Sequence, residues 1–125
     1  MDKVSVNQLA DTITQAVREY TEDVTDSIGK ATDETADKIL REVKSLAPGK
    51  GRYRAGFAKN NQSTPNNRRY VVWNKKFYRL VHLLEKGHAT RNGGKTRAFP
   101  HMAPAERAHV YEYEERVKKI IRNGG

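Results

Sequence analysis

Two histidines and one glutamate lie close together in the sequence and suggest a metal site: His82, Glu85 and His88. A zinc protease helix carries its two histidines four residues apart, so that both lie on one face beside a glutamate base. Here the histidines are six residues apart, and Gly87 is expected to end the helix between them. The spacing therefore favours solvent-exposed or capping histidines, and we expect no metal.

Glu85 is the only acid between residues 48 and 97, a stretch that holds thirteen bases. A lone carboxylate among cations could be a general base or the centre of structural ion pairs. A metal-dependent nuclease usually holds its cations with two or more carboxylates, which favours the structural role. A small nuclease or metal hydrolase using Glu85, His82 and His88 is the alternative.

Other catalytic patterns are not present in the sequence. Ser63 lies in a polar loop and no G-x-S-x-G elbow surrounds a serine. The stretch Gly93-Gly94-Lys95-Thr96 resembles the end of a phosphate-binding loop but lacks its first glycine. We therefore predict that the chain is not an enzyme and uses no cofactor.

The composition is that of one small, basic, polar domain. The chain has 125 residues, a formal net charge of +9 and no cysteine, and its mean hydropathy is −0.89. No apolar run is long enough for a transmembrane helix, and the first residues lack the apolar core of a secretory signal. Without cysteine, a disulfide scaffold and cysteine-based zinc sites are excluded. A cytoplasmic origin without membrane association is expected.

The charge is divided unevenly along the chain. Residues 1–47 hold ten acids and six bases, whereas residues 48–125 hold five acids and eighteen bases. A basic body indicates a polyanion, most often nucleic acid, although lysine and arginine can also serve solubility alone. No helix-turn-helix, zinc-finger or RNA-recognition signature is present, so any DNA contact is expected to be directed at the backbone.

The acidic arm carries a helical pattern. Ser5 and Gln8 predict an N-terminal cap, and apolar or small residues recur from Leu9 to Leu46 with a mean step near 3.7. A continuous helix over residues 6–46 would be about 60 Å long, too long for the small body to cover. Part of the stripe must then face another copy or a partner, or the helix must break, with Gly29 the favoured break. The interface candidates on this helix are Ile13, Val17, Tyr20, Val24 and Ile28.

The body alternates between strand and helix patterns. Alternating residues predict strands over residues 53–59 and 70–73, paired as a hairpin around a polar loop. Residues 75–86 return to a helical period, Asn92-Gly93 predicts a two-residue hairpin turn, and Pro104 is placed at the first position of the last helix.

Together these patterns predict an α+β fold with a long N-terminal helix and a small antiparallel β-sheet with long basic loops. A short middle helix and a C-terminal helix complete it. The expected organisation is a projecting N-terminal helix (1–47) and a basic α+β body (48–125) within one domain.

The second half of the chain resembles a family of phage proteins. The stretch from Tyr78 to His88 with its Leu-Glu-x-Gly, the basic turn, and the run from Ala98 to Ala105 are similar to the gene-product-ten-like minor tail components of lambdoid-type siphophages. These are also called tail-completion or head–tail joining proteins. The turn from Ala47 to Tyr53 fits the same pattern, and the resemblance extends over residues 36 to about 121.

The resemblance implies a structural virion protein of the neck or tail, present in the host cytoplasm during assembly. It implies copies of itself in a ring, a hexamer or dodecamer, with head-connector and tail-terminator or tail-tube proteins as neighbours and double-stranded DNA in the channel. A sequence-nonspecific DNA-binding accessory protein is the alternative function. The motif residues implied to fix the fold are Tyr78, Leu84, Glu85, Gly87, Phe99, Pro100 and Ala105. The candidates for the DNA channel or the subunit interface are Arg52, Arg54, Arg68, Arg69, Arg91, Lys95 and Arg97.

Overall fold

The computed structural model describes residues 6–49, 51–65 and 67–125. The elements are α1 (Val6–Leu46), α2 (Arg52–Ala55), β1 (Phe57–Asn61), β2 (Tyr70–Asn74), α3 (Tyr78–Lys86) and α4 (Met102–Asn123). This order confirms the predicted α+β class with a long N-terminal helix, a small antiparallel sheet, a short middle helix and a C-terminal helix. The cap predicted at Ser5 lies outside the described residues.

The first helix is continuous, so of the two alternatives for its length the break at Gly29 does not occur. α1 runs for 41 residues, about 60 Å, with Gly29 buried inside it. The missing side chain leaves room for a loop, since a Cβ here would lie 3.2 Å from Arg68 Nη2. Arg68 Nε also lies 3.6 Å from Asp33 Oδ1, one turn further along the helix. Gly29 is therefore the place where the β1–β2 loop packs against α1.

Replacing Gly29 with alanine is expected to raise the free energy of unfolding by about 0.5–1 kcal/mol, because alanine favours a helix interior over glycine. The neighbouring guanidinium belongs to a side chain that is 44% exposed, so it can move by the few tenths of an ångström required. Urea denaturation measures the change, with Ala16→Gly on the exposed part of α1 as the inverse control. A loss of stability in Gly29→Ala would contradict this account.

The two long helices pack antiparallel. The Tyr20 hydroxyl donates to the Ile121 carbonyl at 2.7 Å, and the hydroxyls of Thr32 and Tyr113 lie 2.7 Å apart. α4 therefore ends beside Tyr20, and residues 6–19 of α1 extend about 20 Å beyond it.

The two strands form an antiparallel hairpin whose register runs from Phe57 opposite Asn74 to Asn61 opposite Tyr70. The hairpin was predicted, but its first strand begins later than expected. Tyr53 lies in the short helix α2 instead, because tertiary contacts hold it there. Asn74 Nδ2 donates to the Tyr53 carbonyl at 2.7 Å, and the Tyr53 hydroxyl lies 2.7 Å from His101 Nε2.

The hydrophobic core is small and lies where α1, the hairpin and α4 meet. Its fully buried members are Val43, Ala47, Phe57 and Ala105. The partly buried residues packed against them are Ile39, Leu40, Tyr53, Val72, Val81 and Met102. The second half of α1 therefore supplies part of the core of the body.

Two local predictions in the second half need correction. In the α3–α4 loop, the Thr90 amide donates to the Gly94 carbonyl at 2.9 Å, so Arg91, Asn92 and Gly93 form a three-residue loop. Gly93 has φ of +79° and supplies the left-handed residue that such a loop requires. Pro104 is the third residue of α4, not the first, where its missing N–H is still harmless in the first turn.

Candidate functional site

Glu85 joins α3 to the start of α4. Its Oε1 accepts hydrogen bonds from the amides of His101 and Met102, both at 2.9 Å, and its Oε2 accepts from Ala103 at 3.1 Å. These amides lie at a helix N-terminus, where backbone donors have no partner within the helix and the dipole favours a negative charge. Burial acts to raise the pKa of Glu85, but the three amides and the His101 ring outweigh it, so this pKa is lowered.

A buried aromatic cluster lies next to this cap. His101 is fully buried, its Nδ1 donates to the Phe99 carbonyl at 2.7 Å, and its ring packs edge-on against Tyr53 and Phe57. Burial, together with the charge of Glu85, raises the pKa of the Tyr53 hydroxyl to about 12. The sequence patterns did not predict a structural role for His101, and its position between Pro100 and the last helix was the available signal.

The remaining motif residues surround the same junction. Gly87 ends α3 with φ of +74°, and a Cβ there would lie 2.4 Å from the Thr96 carbonyl oxygen. The Leu84 carbonyl accepts from the Phe99 amide at 2.7 Å, and Ala105 is fully buried in the core. Tyr78, Phe99 and Pro100 are exposed. The Leu-Glu-x-Gly and Phe-Pro segments therefore meet at one point of the fold.

The two histidines of the possible metal motif do not converge on Glu85. His82 is exposed, and the Nδ1 of His88 lies 3.1 Å from Thr96 Oγ1. The described ranges contain no group of three histidine, aspartate or glutamate side chains that could hold a metal ion. The carboxylate of Glu85 instead accepts hydrogen bonds from the backbone amides at the start of α4.

The basic candidates fall into separate groups. Arg68 lies against α1 at Gly29, and Arg54 donates to the Ala47 carbonyl at the end of α1. The exposed residues of the α3–α4 loop are Arg91, Lys95 and Arg97. This loop starts from the junction near Val43, about 20 Å along α1 from Gly29. Arg52 and Arg69 are exposed, and the structure does not gather all seven residues into one cluster.

Three acids in the second half of α1, Asp33, Glu34 and Asp37, are paired within the chain. Asp37 pairs with Lys59, and Glu34 pairs with Arg116. The hydrogen bond to Asp37 raises the pKa of Lys59, and the hydrogen bond to Arg116 lowers the pKa of Glu34. This part of the acidic arm therefore pairs with its own body.

The apolar stripe of α1 divides at Tyr20. Beyond the end of α4, its side chains stand in solvent, with exposed fractions of 82% at Val6, 53% at Leu9, 56% at Ile13 and 59% at Val17. Val24 and Ile28, which were predicted in the same interface, are partly buried. Val6 was not among the predicted interface residues, although it continues the same spacing.

A large apolar groove opens between α1, β2 and α4. It has a volume of about 540 Å³, and side chains along it include Thr35, Ile39, Val72, Met102, Val110 and Tyr113. Glu85 contributes to its wall, but its carboxylate is held by the α4 amides. The groove thus leaves apolar surface of the core open on one side.

The fold is that of an α+β protein with an open apolar groove and an exposed apolar stripe on its first helix. Among the described helices, none combines the length and apolar character needed to cross a bilayer. The chain belongs to the HK97-gp10-like family of bacteriophage tail components, whose model matches residues 11–87. No curated protein and no solved structure matches it significantly.

The family match confirms the resemblance seen in the sequence and shifts its range. It includes residues 11–35 of α1, which the resemblance did not reach, and it ends at Gly87, before the α3–α4 loop and α4. The chain is therefore a phage tail component with a structural role in the virion.

Proposed function

We propose that this tail component acts in the phage neck, where it completes the tail or joins it to the head connector as part of a ring around the DNA channel. The membership of residues 11–87 in a tail-component family supports the setting. Other head and tail proteins, together with copies of the chain itself, are its partners in this proposal.

The observation that carries the proposal is the separation of charge in the body. Lys59 and Arg68 pair with α1, and the lone acid Glu85 is turned inward to the start of α4. The other bases of residues 51–97 have no ion pair among the described residues. They are Arg52, Arg54, Arg69, Lys75, Lys76, Arg79, Lys86, Arg91, Lys95 and Arg97. Basic side chains without neutralising acids beside them suit DNA that slides past without being read in sequence.

The test is virion assembly in the absence of this protein. We expect DNA-filled heads and finished tails to accumulate separately in electron micrographs, with particles restored by the wild-type chain in trans. Normal joined particles in the deletion would overturn the proposal.

The same unpaired bases favour a second function, sequence-nonspecific DNA binding. That function predicts tight binding to duplex DNA. The logarithm of the association constant should fall steeply with the logarithm of salt concentration, with a slope of about −0.9 per phosphate contacted. A channel protein should bind free duplex weakly, because DNA must pass it. Fluorescence anisotropy across a salt series separates the two, with Arg91→Ala/Lys95→Ala as the variant and Glu114→Ala as the control.

A further inference from the structure

We propose that the projecting stripe of α1 in one copy docks into the apolar groove of the next copy. The stripe consists of Val6, Leu9, Ile13, Val17 and Tyr20, and the groove is the one between α1, β2 and α4. This interface rests on the proposed function, because the interface is the contact between subunits of the proposed ring.

The stripe has the form of one half of a helix interface. Its apolar side chains are 45–82% exposed, and Ala10, Thr14 and Ala16 flank them. At 3.6 residues per turn, the charged residues Asp11, Arg18 and Glu22 lie on the opposite side. This half of the helix can be covered without burying a charge.

The groove matches the stripe in length and character. It follows α1 from Thr32 to Val43, and the stripe from Leu9 to Tyr20 covers the same number of residues, about 17 Å in each case. An amphipathic helix in an apolar groove commonly anchors residues at this spacing. The volume of the groove, about 540 Å³, accommodates several aliphatic side chains.

The stripe of one chain cannot fill its own groove. Both lie on the same unbroken helix, and Ile13 and Thr35 are separated by about 33 Å of rigid helix. The contact must therefore join two copies. A surface on one end that fits a different surface on the next copy is a head-to-tail contact, which closes into a ring or continues as a filament. Pairing two stripes together would instead leave both grooves open.

The experiment uses the double variant Ile13→Cys/Thr35→Cys, which is simple to interpret because the chain has no cysteine of its own. Ile13 is exposed and Thr35 lies on the groove wall, so both substitutions are compatible with the fold. The variant is oxidised in assembled tails or virions and also as the concentrated chain. We expect a ladder of disulfide-linked oligomers in non-reducing gels, and none from Thr35→Cys alone.

The controls distinguish the other occupants. Gln15→Cys/Thr35→Cys places the first cysteine on the opposite side of α1 and should give no ladder. A dimer from Ile13→Cys alone would show that two stripes pair with each other. Cross-links only to a different tail or head protein would show that the partner is another chain. Either result, or no ladder in assembled particles, would overturn the interface.

The outcome is separable from that of the proposed function. Ile13→Asp, compared with Gln15→Asp, is expected to leave heads and tails unjoined, because it places a charge in the middle of the stripe. Normally joined virions with Ile13→Asp would overturn the interface while the joining role stands. Joined virions in the full deletion would overturn the joining role itself.

Discussion

Replacing Glu85 with alanine is expected to lower the free energy of unfolding by about 3 kcal/mol, a large share of the stability of a small domain. The change removes the acceptor of three backbone amides at the start of α4. A hydrogen bond to a charged group contributes about 1.5–3 kcal/mol, and the contributions of these three do not add, because they share one carboxylate and the Ala103 amide is exposed. Urea denaturation followed by circular dichroism measures the loss.

The matched control is Glu114→Ala, an exposed acid on the same helix, which should change stability by no more than about 0.5 kcal/mol. Glu85→Gln keeps one acceptor oxygen and loses the charge, so an intermediate loss is expected. A stable Glu85→Ala variant that has lost a hydrolytic activity would contradict the structural role. It would favour the alternative of a small nuclease or metal hydrolase.

The hydrogen bonds that Glu85 accepts at the start of α4 also make the free energy of unfolding depend on pH. Because the pKa of Glu85 is lowered in the folded chain, its contribution is fully present above the unfolded value of about 4.3. It is lost as the pH falls through the folded value, where the carboxylate becomes protonated. The difference in stability between wild type and Glu85→Gln should therefore shrink in acid, which urea denaturation at a series of pH values measures. A difference that is constant from neutral pH into acid would contradict it.

Replacing Gly56 with alanine is expected to cost about 2–3 kcal/mol, the upper range for overpacking a core site. A Cβ at this position would lie 2.4 Å from Asn74 Oδ1. Asn74 is fully buried, and its side chain cannot move away. Its Nδ2 donates to the Tyr53 carbonyl at 2.7 Å, and its Oδ1 accepts from the Phe77 backbone amide at 2.9 Å. Thermal and urea unfolding measure the effect.

Gly94→Ala is the control for Gly56→Ala, because its added Cβ would meet only the Thr90 hydroxyl at 3.3 Å. The double variant Gly56→Ala/Asn74→Ala removes the clash, so it should cost less than the sum of the two single changes. Strictly additive costs would show that the two side chains do not compete for the same space.

Local patterns predicted the types of element well and their ends less well. The 3.7-residue spacing identified α1, and the alternation around Tyr70 identified the hairpin, because both patterns extend over many residues. The errors fall where a distant contact outweighs local preference. Gly29 disfavours a helix by itself, but Arg68 packs on it; Tyr53 fits a strand by itself, but Asn74 and His101 hold it in a helical turn.

Composition and residue spacing suffice to predict the α+β class, the acidic and basic halves, and the length of a helix that its body cannot cover. Each of these depends on composition or on a repeat along the chain. The folded chain is needed to see that Glu85 caps α4, that three acids in the second half of α1 pair with their own body, and that the stripe divides at Tyr20. These outcomes depend on which distant residues meet, and no spacing along the chain records where α4 ends against α1.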